Sequence, residues 1–137
     1  MTLTIAYFPP VEYFAVLARY SSVYIEACEN YQKQSYRNRC HIYSPNGVQA
    51  LSFPIKHTPS GISIPIKEVE VDYSTPWVAK PLRSIDTAYR SSAYYDYYRD
   101  DLYALMGSRP RTLWELDMEI IRFFMRKMGL DTTILET

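Results

Sequence analysis

"LTIAYFPPVEYFAVLARYSSVYIEAC", residues 3–28, decides the fold. Residues 3–8 form a short apolar run stopped by Pro9-Pro10, the pattern of a buried strand. Residues 11–20 then place Val11, Phe14, Ala15, Leu17 and Ala18 at helical spacing, with Pro10 suited to the first helical turn. Residues 22–28, "SVYIEAC", return to a strand. Strand, helix and strand with short links make a βαβ unit, so the two strands are expected to run parallel.

Working outward, "RNRCHIY" (37–43), "SPNG" (44–47) and "VQALSFPI" (48–55) read as a β-hairpin, with Asn-Gly as the turn signal. "ISIPIKEVEV" (62–71) reads as a third extended run with Pro65 at an edge; its apolar parity changes near Lys67, which predicts a bulge or break there. The second half turns helical. One helix is expected to start near Pro81, with Leu82, Ile85 and Tyr89 as its stripe, and another spans 94–107. In the helix over 112–129, Thr112 and Glu115 form a capping box, Leu113, Leu116, Ile120, Phe124 and Met128 form the apolar face, and Gly129 ends it. "TTILE" (132–136) has the β-branched character of a strand and is expected in or beside the sheet begun by residues 3–8. Its open edge would be covered by a further C-terminal portion or by a second copy in a homodimer. The fold class is therefore α/β: an N-terminal βαβ unit, an inserted β-hairpin and a helical C-terminal half, in a single domain over residues 1–137.

Composition narrows the function. The chain has 137 residues, 47% apolar and 22% charged, with fifteen acids against fifteen bases. Zero net charge argues against a general nucleic-acid binder. Four widely spaced glycines build neither a Walker loop nor a dinucleotide fingerprint. Cys28 and Cys40 fit no redox motif or disulfide framework, no apolar stretch is long enough to span a membrane, and the N-terminus lacks a signal peptide, so a cytoplasmic protein with reduced thiols is expected. His41, His57, Cys28 and Cys40 have no recognised metal-ligand spacing, and no metal is expected.

The chemistry concentrates in "NYQKQSYRNRCHI", residues 30–42, which holds Lys33, Arg37, Arg39 and His41 and no acid. Strand alternation sets Cys40, Ile42 and Asn38 on one side and Arg37, Arg39, His41 and Tyr43 on the other. Two guanidiniums one strand repeat apart can grip a phosphate or carboxylate; the plainer alternative is two solvated arginines paired with acids elsewhere. Asn38, facing inward, needs buried partners, so Asn38→Ala is expected to cost more stability than Arg37→Ala. In open α/β sheets ligands settle beyond the carboxyl ends of strands. Tyr7 and Glu12 lie beyond the first strand, and the loop 29–36 beyond the second. Glu12 could serve as a general base or hydroxyl acceptor, or simply as a first-turn acid. Tyr89, Tyr94, Tyr95, Tyr97, Tyr98 and Tyr103 invite a carbohydrate-stacking reading, but their helical spacing favours core or interface packing.

"IAYFPPVEYFAVLARY", "VYIE", "ENYQKQSYRNRCHI" and "LSFPI", together with "IDTAYRSSAYYDYYRDDL" and "LWELDMEIIRFFMRKMGLDTTI", resemble the WbqC-like family of bacterial proteins over nearly the whole chain. Its specific motif is Gln34 through Arg39, including the pair Asn38-Arg39. The resemblance implies a place in O-antigen or other surface-polysaccharide biosynthesis and no particular reaction, so neither a catalytic residue nor a cofactor is assigned. Many relatives carry a His-Gln-Pro stretch where this chain reads Ala6-Tyr7-Phe8-Pro9. Relatives continue past the position of Thr137, so a C-terminal portion is expected to be missing. The strand–turn–helix start is also similar to nucleotidyltransferases with a His-containing signature, of whose sheet this would be a truncated form. The leading expectation is a protein acting on a sugar-nucleotide or similar anionic intermediate: Arg37 and Arg39 bind the anion, Asn38 fixes the loop, Gln34 contacts polar groups, and Tyr7 and Glu12 share the cleft. The alternative is a non-catalytic interaction protein that holds pathway enzymes through its tyrosine-rich helical surface.

Overall fold

A three-stranded parallel sheet organises the N-terminal half. β1 (Thr2–Leu3) pairs with β2 (Ser22–Ile25), which pairs in turn with β5 (Thr133–Glu136), in the order β1-β2-β5. The computed structural model that shows this describes residues 1–57 and 62–137. The last residues thus return to the first sheet as the sequence implies, with Ile134 opposite Val23. α1 (Val11–Arg19) links β1 to β2 and buries Phe14 and Leu17, while Val11, Ala15 and Ala18 face solvent.

β1 is shorter than residues 3–8 suggest. Ile5, Ala6 and Tyr7 are buried but leave the ladder. Tyr7 donates its backbone N–H to the Tyr36 carbonyl at 2.9 Å instead of to a strand. Phe8 then adopts φ 43, so the chain turns out of the sheet before the two prolines.

The hairpin forms as a separate two-stranded sheet, β3 (Arg39–Ser44) against β4 (Gly47–Ser52). Ser44 sits opposite Gly47, and Gly47 takes φ 108, open to glycine at little steric cost. The run 62–71 is not a strand. Ile66–Glu68 wind into a 3-10 helix centred on Lys67, where the apolar parity breaks, and this puts Ile66, Val69 and Val71 all in the core. Only isolated bridges remain there, including Asn30 to Pro65 and Glu70 to Thr112.

α2 (Ala79–Tyr89) carries Pro81 in its first turn, where a missing N–H costs nothing. α3 (Tyr95–Gly107) and α4 (Leu113–Met128) follow. Thr112 caps α4 by accepting from the Glu115 N–H at 3.1 Å; such caps contribute about 1 kcal/mol. Glu115 reaches back one residue further than the box requires, to the Arg111 N–H at 3.2 Å. Gly129 closes the helix at φ 71. α4 is buried over more than one stripe: Trp114, Met118, Ile121 and Met125 join Leu113, Leu116 and Ile120, while Met128 is exposed. One core cluster joins the parallel sheet, the hairpin and the helices α1, α2, α3 and α4. Among the described residues, no helix is long and apolar enough to cross a membrane.

Candidate functional site

The loop between β2 and β3 lies beyond the carboxyl end of β2, and backbone bonds tie it down along its length. The Glu29 carbonyl accepts from Ile66 at 2.9 Å, Tyr31 donates to Ile64 at 2.8 Å, Tyr36 accepts from Tyr7, and the Asn38 carbonyl accepts from Phe53 at 3.2 Å. A chain held at four points presents its side chains in a defined arrangement without regular structure. Gln34 sits at the exposed bend of this loop with φ 53.

Asn38 is the internal brace. Its amide donates to the Phe53 carbonyl at 3.0 Å, and its side-chain oxygen accepts from the Tyr31 hydroxyl at 3.2 Å. Asn38 stands one residue ahead of β3 and is half-buried; the backbone partner is the kind the sequence leads one to expect, and the bond to Tyr31 has no counterpart in that reading. The Tyr31 hydroxyl is raised by burial, an effect that the Arg39 and Arg37 guanidiniums and the Asn38 bond offset only in part. Tyr31, Asn38, Arg37 and Arg39 therefore form one cluster.

The two arginines divide. Arg37 lies in the loop, ahead of β3, and its Nε donates to Glu29 Oε1 at 2.7 Å while its Nη2 donates to the same oxygen. Both side chains are largely covered, at 15% and 12% exposure. Arg37 is thus a structural cation already neutralised. The acid stands one residue upstream of the stretch 30–42 and escapes a reading confined to it. Arg39 opens β3, is half-buried, and has no acid partner among the described residues. The cost order expected for Asn38→Ala and Arg37→Ala is corrected accordingly: removing Arg37 strands a covered carboxylate.

Tyr7 and Glu12 are not brought to this cluster's surface. Tyr7 is 1% exposed, and its hydroxyl has no hydrogen-bond partner among the described residues. Glu12 is exposed in the first turn of α1. Asp117 of α4 is also fully buried, with neither carboxylate oxygen hydrogen-bonded among the described residues. Burial pushes its carboxyl well above the usual range, and burial first of all, with Asp117 as a smaller contributor, likewise raises Tyr7, Tyr13 and Cys40. Burial holds the Cys40 thiol at about 12, so it is no nucleophile at neutral pH. The sequence did hold a signal for Asp117: it falls four residues after Leu113 and three before Ile120, on the apolar face of α4.

Beside the hairpin a cleft of about 560 Å³ opens, walled by Phe8, Phe14, Phe124 and the tyrosines Tyr89, Tyr94 and Tyr98, with His41 of β3 also on its lining. Other tyrosines of the cluster are structural. Tyr95 and Tyr103 both donate to Asp86, which Arg99 also pairs at 3.1 Å. Among the described residues, no three His, Cys, Asp or Glu side chains are grouped as metal ligands.

The model of the WbqC-like protein family matches residues 6–137. No curated protein and no solved structure matches the chain.

Proposed function

Because this chain belongs to the WbqC-like protein family, we propose that it binds a sugar-nucleotide or similar anionic intermediate of O-antigen or other surface-polysaccharide synthesis. Arg39 grips the anion. The observation that supports this is the division of labour between the two arginines: Glu29 neutralises Arg37, and Arg39, half-buried at the start of β3, has no acid partner among the described residues. Arg37 fixes the loop's shape, Asn38 and Tyr31 hold the start of β3, and exposed Gln34 contacts polar groups of the ligand. An enzyme of this pathway would use the arrangement to hold a phosphorylated substrate; no side chain is assigned a chemical step.

Titration calorimetry with inorganic phosphate and with a nucleoside diphosphate sugar tests the assignment. Arg39→Ala is expected to lose about 1.5–3 kcal/mol of binding free energy, the scale of hydrogen bonds to a charged group. Equal affinity in both proteins would overturn it.

A second reading has its own support. Tyr94 and Tyr97 are 73% and 69% exposed, more surface aromatic area than core packing explains. A non-catalytic protein holding pathway enzymes through this face would keep that role in Arg39→Ala and lose it in Tyr97→Ala.

A further inference from the structure

We infer that the tyrosine-walled cleft beside β3 is a base subsite, receiving the nucleobase of a nucleoside diphosphate whose phosphates lie at Arg39. The inference rests on the anion reading above and extends it from a charge to a whole ligand class.

Placement comes first. Arg39, His41 and Tyr43 occupy one face of β3, and residues two apart on a strand are separated by roughly 6.6–6.8 Å. His41 and its neighbour Ile42 both line the cleft, so the cleft meets β3 at these two residues, one strand repeat along from Arg39. The His41 ring meets Tyr36 edge-on at 5.9 Å, and Tyr36 is bonded through its carbonyl to Tyr7, next to the cleft residue Phe8. Loop, strand and cleft mouth are therefore continuous.

Chemistry selects the occupant. A volume of about 560 Å³ falls within the range of small-molecule sites. The described lining contains no Asp, Glu, Asn, Gln, Lys or Arg. A sugar ring presents hydroxyls around its rim and needs such groups to satisfy them, so the glycosyl part does not belong here. A nucleobase has flat apolar faces and polar edges. It stacks on aromatic rings whatever its sequence identity, and here it would leave its edges to the His41 ring, Ser92 and the tyrosine hydroxyls. The walls are set before a ligand arrives: Phe8 stands at φ 43 with its ring 6.0 Å from Phe124, and Phe14 lies 5.9 Å from the same ring. A bulky residue held in the left-handed region is a strained feature that surrounding structure must maintain.

The experiment compares inorganic pyrophosphate with the diphosphates of uridine, guanosine, adenosine, cytidine and thymidine, by calorimetry on the whole chain. At least one nucleoside diphosphate is expected to bind about tenfold or more tightly than pyrophosphate, the gain that stacking one base provides. Tyr94→Ala and Tyr89→Ala replace exposed side chains (73% and 39%) and leave the core untouched. They are expected to reduce that gain severalfold without changing pyrophosphate affinity, whereas Arg39→Ala weakens both ligands. Pyrophosphate binding with no gain from any base would overturn the base subsite and leave the anion reading standing. A gain that persists in both tyrosine variants would also overturn it, placing the base elsewhere. Absence of binding by every probe would overturn both.

Discussion

Glu29→Ala is expected to lower the free energy of unfolding by about 3 kcal/mol, measured by urea denaturation. The two side chains of this ion pair are covered to 12% and 15% exposure, and Glu29 Oε1 takes both guanidinium donors. Deleting one member of such a pair leaves the other charge without compensation in a poorly solvated place, which costs about 3–5 kcal/mol for fully buried pairs. Arg37→Ala should cost a similar amount. It strands Glu29, whose second oxygen already has no hydrogen-bond partner among the described residues. The double variant should be less damaged than the sum of the two, because it removes the orphaned charge with its partner. Single losses below about 0.5 kcal/mol would put the pair in the class of solvent-exposed bridges and undo the structural role given to Arg37.

Asp117→Asn should change the pH dependence of stability. The folded-state carboxyl is raised well above its usual value by burial. A raised folded value means the folded chain keeps its proton while the unfolded chain loses it. Stability is therefore full below the unfolded value of about 3.9 and falls as pH rises toward the folded value, by about 1.4 kcal/mol per pH unit. Asparagine keeps the shape and cannot ionise. The variant and the parent should unfold with similar free energies near the unfolded carboxyl value, with the variant gaining steadily at higher pH. A difference independent of pH would mean that Asp117 is ionised in the folded chain and paired in some other way.

The strand–helix–strand start, the hairpin turn, the capped α4 and the return of residues 133–136 to the sheet were legible because each depends on local signals: periodicity, prolines, Asn-Gly, a threonine cap. The misses have a common cause in tertiary competition. Residues 5–7 are apolar enough for a strand, yet the Tyr36 carbonyl captures the Tyr7 N–H and draws the chain away. Residues 62–71 are β-branched, yet a single 3-10 turn buries Ile66, Val69 and Val71 where a straight strand would split them between faces. In the candidate site the inward face of Asn38 was readable from strand parity. The partner of Arg37 was not, because alternation says which way a side chain faces and not which acid a neighbouring irregular loop brings to it. Tyr31 offered no signal at all, since its bond to Asn38 depends on how an irregular loop folds back on itself.

In the proposed site Arg39 binds the anion while Arg37 only shapes the loop. The most direct test follows the arginine Nε–H signals of the intact chain by NMR during titration with a nucleoside diphosphate. The Arg39 signal is expected to shift with saturation while the Arg37 signal, locked on Glu29, stays in place. Movement of Arg37 with Arg39 unmoved would contradict this assignment of the anion to Arg39.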